Sequence, residues 1–388
     1  MYNFFQILFF SSIALILHTY LFYPLFVILI FKKQKKQIVQ YSQADDLPNI
    51  TLLIAAYNEE SIIEQKLKSV INTTYPLSKI KIIVGSDAST DKTNELILNF
   101  KNIFSAIELI NFEGRTGKIN IINHLQTLVK TNIFILSDAN VLFTPTTLFE
   151  LVKQFKDNNV GLVAANIIKQ SPITKGITAQ EIKYLNLENK IKLAESNAWQ
   201  AIMGAEGGCF AISTSNFIPV PNNFIVDDFY LTLKVIQQKK YTLFNANAIC
   251  YEDVLDDKQA EYKRKVRISA GNFQNLNYFK TMLLPFWKGT AISFLSHKVL
   301  RWLTPFFLIL CLMSSLFLGL HSTLFLLLFC VQLILVCLPL INNLVPIKIK
   351  LLNFISHFYY MNFALLKGFF NYTKGVKSNV WQPVKRNV

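Results

Sequence analysis

The last third of the chain contains no acid. After Glu261 there is no Asp or Glu in a sequence of 388 residues, while 15 of the 39 Lys and Arg residues lie there. All 24 acids fall in residues 1–261, together with 24 basic residues, so the formal net charge of +15 belongs to the acid-free end. That end also holds long apolar runs. Basic side chains beside apolar spans answer the anionic cytoplasmic leaflet and the positive-inside bias. A nucleic-acid groove would place its basic stripe on the soluble part. The charge is a membrane signal, with membrane lipids as partners and no nucleic acid.

Cysteine is scarce as well. Cys209, Cys250, Cys311, Cys330 and Cys337 show no C-x-x-C pair and no zinc spacing. This excludes a disulfide framework and fits a cytosolic catalytic portion. Two phosphate-binding signatures are missing too. No G-x-x-x-x-G-K-[ST] is present, which excludes a P-loop NTPase, and no G-x-G-x-x-G follows the first strand, which argues against a dinucleotide oxidoreductase.

Apolar residues are abundant: 52% of the chain, with a mean hydropathy of +0.33, too apolar for a purely soluble protein. Residues 1–31 read as a membrane span, since Phe4 to Phe31 is almost wholly apolar and the lysines at 32, 33, 35 and 36 follow directly. Those lysines place the next domain on the cytoplasmic side. A basic, polar linker covers 32–48. Strands are expected at Ile50–Ala56, Ile80–Gly85, Ala106–Ile110, from Ile133, at Gly161–Ala165 and at Cys209–Ser213. Helices are expected over Ser61–Asn72, Lys92–Phe100, Lys118–Lys130, Thr146–Phe155, Thr178–Asn197 and Asp227–Lys240. Alternating short apolar strands and amphipathic helices indicate an α/β fold with a mostly parallel, doubly wound, Rossmann-like sheet. Residues 256–302 read as a basic helix followed by an interfacial segment from Met282 to Trp302. Two spans are expected within 303–341, and 342–388 holds a candidate third, Leu351–Tyr372, and a basic tail.

Acids recur at strand ends and turns: Asp87, Asp91, Asp138 and the pair Asp227-Asp228. In open α/β sheets, ligands bind beyond the carboxyl ends of the strands. Carboxylates converging there suit Mg²⁺ or Mn²⁺ bound to phosphate oxygens. Gly117-Lys118 at a helix start adds a cation and free backbone N–H groups. Each has a plainer reading. Asp87 and Asp91 could cap a helix, Asp138 a turn, Lys118 could be solvated, Asp228 could be a first-turn acid, and Arg264 and Arg267 part of a membrane-facing stripe. Their order along one domain is what argues against independence.

In that order, residues 50–275 resemble the GT-A catalytic domain of family 2 glycosyltransferases. The flanking spans are similar to those of the membrane-bound branch that includes cellulose, chitin, hyaluronan and poly-N-acetylglucosamine synthases. Tyr57-Asn58-Glu59 matches the opening turn, and Asp87 and Asp91 match the two acids at the nucleotide. Gly117-Lys118-Ile119-Asn120-Ile121-Ile122-Asn123 matches G-K-x-x-A-L-N in its glycine, lysine and final asparagine. Ser137-Asp138-Ala139-Asn140 occupies the place of the D-x-D metal motif, with Asn140 for the second acid. Gly204-Ala205-Glu206-Gly207-Gly208 resembles the acceptor-side element, and Asp227-Asp228 the E-D pair. Where the processive synthases carry Q-x-x-R-W, this chain has Arg264-Lys265-Val266-Arg267-Ile268, without Gln or Trp.

The resemblance implies a transferase domain over 49–255 and an inverting hexosyltransferase, integral and multi-pass, at a bacterial inner or plasma membrane with the domain cytoplasmic. The donor would be a nucleotide-sugar, expected to be a UDP-sugar, and the acceptor a glycan or lipid, in cell-envelope or extracellular polysaccharide synthesis. Asp228 would be the base beside Asp227. Asp87, Asp91, Lys118, Asp138, Arg264 and Arg267 would bind the donor, Gly207 and Gly208 would face the acceptor, and Asp138 with Asn140 would hold Mg²⁺ or Mn²⁺. Two alternatives stay open: a non-processive lipid glycosyltransferase adding a single sugar, and a non-catalytic membrane scaffold. An accessory export partner is likewise left open.

Overall fold

The computed structural model describes residues 1–32, 37–170, 177–253, 258–344 and 349–375. Lys33, Lys35 and Lys36 of the linker, the 255/256 boundary, and Lys377, Lys385 and Arg386 of the tail lie outside them. The chain divides into two compact units, one of Met1–Leu29 with Asp257–Val376 and one containing Ile30–Asp256.

The apolar N-terminal segment is helical: α1 (Tyr2–Leu17), a π-helical turn (His18–Phe22) and α2 (Tyr23–Phe31). The second unit follows as β1 (Ile50–Ala56), α3 (Ile63–Ile71), β2 (Ile80–Ser86), α4 (Thr93–Phe100), β3 (Ile107–Asn111), α5 (Lys118–Thr127), β4 (Ile133–Asp138) and β5 (Val141–Phe143). It continues as α6 (Thr147–Val152), β6 (Val160–Gln170), α7 (Ile177–Trp199), β7 (Cys209–Ser213), α8 (Asp227–Gln237) and β8 (Tyr241–Asp253). Among the described residues these strands form one mixed eight-stranded sheet in the order β3-β2-β1-β4-β7-β6-β8-β5. The block β3-β2-β1-β4 is parallel, and β7 joins it antiparallel to β4. The expected α/β GT-A fold is present, with parallel pairing confined to that block and to β6–β8. Strands covered on both faces read as continuous apolar runs. Ile50, Leu52, Leu53, Ile54, Ile82, Ile83, Phe134 and Ile135 are accordingly buried.

Two strands escape the sequence pattern. The short β5 pairs with β8, and β8 pairs with a β6 that continues to Gln170. Asn245 and Asn247 interrupt the apolar run of β8. The β6–β8 register shifts between Ala164 and Asn166, and the Asn245 amide donates to the Glu150 carbonyl at 2.8 Å.

The other unit continues with α9 (Lys258–Phe279), α10 (Gly289–Ser293), a π-helical segment (Phe294–Val299), α11 (Leu300–Gly319), α12 (Thr323–Leu344) and α13 (Lys350–Thr373). The interfacial segment expected up to Trp302 is instead helical from Gly289 and continuous with α11. Its basic residues suggested a headgroup position, but Arg301 is buried, 5.4 Å from the Tyr20 ring centre. Among the described residues three helices are long and apolar enough to cross a membrane: Tyr2–Phe31, Gly289–Gly319 and Thr323–Asn342. The third C-terminal candidate forms α13 but is not one of these. It packs on α9, with Gly368 against Ser269, whose hydroxyl donates to the Leu365 carbonyl at 2.8 Å.

Candidate active site

The sheet register brings the candidate residues to one edge. Ala55 pairs with Gly85 on one side and with Asp138 on the other, so β1, β2 and β4 end level. The chain turns away in opposite senses on either side of β1, and such a switch point opens a crevice at the strand ends. Strand β7 runs the other way, with Cys209 opposite Ser137. Its start therefore delivers Gly207 and Gly208 to the same edge.

Lys118 is the first residue of α5 and follows Gly117, whose φ of 88° lies in the left-handed region that favours glycine. The Lys118 ammonium donates to Asp138 Oδ1 at 2.6 Å and to the Gly207 carbonyl at 3.3 Å. A Cβ at Gly207 would lie 2.9 Å from Asp228 Oδ2, so the missing side chain lets Asp228 approach the strand edge. The Gly208 carbonyl accepts from the Asp138 N–H at 3.0 Å and from Ser137 Oγ at 3.1 Å. A Cβ there would meet Ile167 Cδ1 at 2.7 Å. A side chain at either position would force these neighbours to shift.

Asp227 and Asp228 form the first turn of α8. Burial and the neighbouring Asp227 carboxylate push Asp228 up to about 7, against the opposing pull of Lys118, the Phe229 N–H and Lys192. A carboxylate at that value can accept a proton near neutral pH. Burial works to lower the Lys118 amine, but Asp138, Asp227 and Asp228 outweigh it and hold it above the usual lysine range.

Asp87 and Asp91 take different positions from these. Asp87 is fully buried and accepts from Arg115 Nε at 3.0 Å, Thr116 N at 2.6 Å, Thr116 Oγ1 at 3.0 Å and Gly117 N at 3.2 Å. It ties the end of β2 to the loop before α5 instead of capping α4. Asp91 accepts from the N–H groups of Thr93 at 3.0 Å and Glu60 at 3.1 Å, capping α4 and holding the Asn58–Glu60 turn. Arg264 and Arg267 lie on α9 of the other unit, where Arg264 pairs with Glu261 through Nε at 2.8 Å.

Two participants were not singled out from the sequence. The Arg115 guanidinium lies 3.4 Å from the centre of the Tyr57 ring while bonded to Asp87. Lys192, buried on α7, pairs with Glu206 at 2.6 Å. Only the position of Glu206 beside Gly207 hinted at the second.

The donor set tests the fit of a divalent cation. Among the described residues no group of three or more His, Cys, Asp or Glu could hold a metal ion. The edge offers the Asp138 carboxylate and the Asn140 amide, which faces Glu252 at 3.3 Å. Hard cations such as Mg²⁺ keep waters and are bound by one or two carboxylates plus substrate phosphates. The residues fit an ion completed by a phosphate ligand.

Residues 51–218 match the family model described as Glycosyl transferase family 2. The chain is 24% identical over 320 residues to a poly-beta-1,6-N-acetyl-D-glucosamine synthase of Staphylococcus epidermidis, covering 76% of this chain and 74% of that protein. It is 27% identical over 246 residues to the synthase of the same name from Staphylococcus aureus, covering 61% and 58%. In fold it is similar to a mannosyltransferase from Pyrobaculum calidifontis solved in complex with GDP-Man and Mn²⁺, with a TM-score of 0.70 and 19% identity over 94% of this chain and 99% of the other. Residues 51–218 are thus similar in sequence to family 2 glycosyltransferases, the chain is similar to polysaccharide synthases, and its fold is that of the archaeal mannosyltransferase.

Proposed function

We propose that this protein is a membrane-bound, inverting glycosyltransferase of polysaccharide synthesis, acting at the cytoplasmic face on a nucleotide-sugar. The observation that carries this reading is the convergence of Asp228, near pH 7 in its titration, with Asp227, Lys118 and Asp138 at one strand edge. The acceptor hydroxyl attacks the anomeric carbon and gives its proton to Asp228. The new C–O bond forms as the bond to the diphosphate breaks, and the electron pair leaves with the nucleoside diphosphate. Attack opposite the leaving group inverts the configuration. Lys118 faces the diphosphate. Gly207 and Gly208 face the acceptor, and Gly207 lets Asp228 come close to that side of the edge. Asp87 and Asp91 serve the base and ribose end by holding the Arg115–Gly117 loop and the Asn58–Glu60 turn. Asp138, with Asn140 beside it, would hold Mg²⁺ or Mn²⁺, which supplies Lewis-acid neutralisation of the leaving diphosphate.

The names of the staphylococcal relatives make UDP-N-acetylglucosamine the first donor to try, and the bound ligand of the archaeal mannosyltransferase makes GDP-mannose the second. A donor panel applied to membranes containing the protein, with the products sized, tests the reading. A polymer supports a synthase. One sugar on a lipid supports the single-transfer alternative, favoured by the missing Gln and Trp around Arg264–Ile268. No transfer from any donor overturns the enzymatic reading and leaves a binding scaffold. Asn140→Asp, which restores D-x-D, is expected to raise Mn²⁺ affinity measured by electron paramagnetic resonance; unchanged affinity would mean that asparagine already suffices.

A further inference from the structure

Helix α3 buries a stripe of Ile63, Leu67 and Val70, and the fourth member of that stripe is Lys66, with no exposed surface. An amphipathic helix places apolar side chains at this spacing. The Lys66 ammonium donates to Ser137 Oγ at 2.7 Å and to the Val141 carbonyl, and lies 3.5 Å from the centre of the Phe143 ring. None of these partners carries a negative charge. Burying an ammonium among neutral groups costs free energy that a compensating charge would recover. Burial pushes the Lys66 amine down to about 8, with Cys209, Cys250 and the Asp138 carboxylate opposing it only in part.

The partners point to what this cation does. Ser137 and Val141 flank Asp138-Ala139-Asn140, so one ammonium grips both sides of the turn that carries the candidate diphosphate ligands. Ser137 Oγ extends the chain to the Gly208 carbonyl at 3.1 Å, the same carbonyl that accepts the Asp138 N–H. Lys66 thus links α3, the β4–β5 turn and the glycine segment behind the crevice.

We infer that Lys66 is a positioning residue for glycosyl transfer, a buried cation behind the Asp138–Asn140 turn that fixes the turn and makes the crevice selective for a nucleoside diphosphate over an uncharged nucleoside. The inference rests on the nucleotide-sugar reading above. A diphosphate in front of the turn supplies the negative charge that the partners of Lys66 lack. A hydrogen-bonding staple alone would treat charged and neutral ligands alike.

The test uses the full chain purified in detergent with Mg²⁺ present, and compares wild type with Lys66→Met and Lys66→Gln. Affinities for UDP and uridine, and for GDP and guanosine, are measured by calorimetry or displacement, alongside melting temperature. Both variants are expected to keep nucleoside affinity within about twofold and to lose about tenfold in diphosphate preference, the scale of one charge acting through several ångströms of protein at an effective dielectric of about 20. In turnover, donor KM is expected to rise by more than kcat falls. Unchanged preference, or equal loss for nucleoside and diphosphate, overturns the inference. If neither neutral variant folds, the ammonium is a structural keystone and the inference is also overturned. If wild type binds neither diphosphate, the nucleotide-sugar reading itself falls; if it binds one and the variants match it, only the role of Lys66 does.

Discussion

At the level of single residues, the site is a balance of charges around Asp228. Burial and Asp227 raise its proton affinity, and Lys118 lowers it. A general base works only when deprotonated, so transfer by wild type should rise with pH through about 7 and then level off. Asp228→Asn should lower kcat by about 10²–10⁴-fold, the usual range for lost general-base help, with nucleoside diphosphate affinity retained. Near-normal turnover in the folded variant would sink the assignment. The neighbours give a sharper test. Asp227→Asn removes a like charge and should move the acid limb of the pH–rate profile to lower pH, whereas Lys118→Met removes an opposing charge and should move it to higher pH. Shifts of the same sign would be incompatible with this electrostatic arrangement. Stability carries the reverse dependence. A carboxyl whose folded pKa is raised stabilises the fold below its unfolded pKa, and that contribution disappears as pH rises through the folded value. Asp228→Asn should therefore raise the melting temperature relative to wild type more at pH 8 than at pH 5.

Among the elements, the loop from Asp87 to Asp91 and the turn from Tyr57 to Glu60 behave as one piece. The Asn58 carbonyl oxygen of the side chain accepts the Thr90 N–H at 2.9 Å, and Ser89 Oγ accepts the Asn58 N–H at 3.2 Å. Ala88 sits at a φ of 57° and Asn58 at 53°, both left-handed. Such strain tends to collect at functional sites. Ala88→Val should destabilise by about 1–2 kcal/mol, since a β-branched residue fits that conformation worse, while Ala88→Gly should not destabilise. Thermal melts of the two variants would decide. These elements differ in how far the sequence foretells them. Strands β1, β2 and β4 announce themselves because both their faces are buried. The acids after them are legible because strand ends are where such sheets bind ligands. The partner of Asp87 is not legible: Arg115–Gly117 comes from another loop, and nothing local indicates that it folds back. Lys66 was readable in principle, as a charge at an apolar position of α3, but only the packed structure shows that its hydrogen-bond partners are neutral. Strand β8 was obscured by Asn245 and Asn247, whose polarity the irregular pairing with β6 accommodates.

For the whole molecule, apolar length is the dominant fact. Among the described residues three helices of 30, 31 and 20 residues have the length and composition to cross a membrane. The protein should remain in the membrane pellet after alkaline carbonate washing and leave it only with detergent; release by carbonate would contradict an integral reading. The strand order has a consequence in time. Chains emerge from the ribosome N-terminus first. The parallel block that carries Asp87, Lys118 and Asp138 is complete once β4 has been made, whereas β7 and the α8 start that carries Asp228 are translated later. A nascent chain thus acquires the groups assigned to the donor before the base assigned to the acceptor. Synthesis halted between the two would leave a chain without its base, and so with no means of spending sugar.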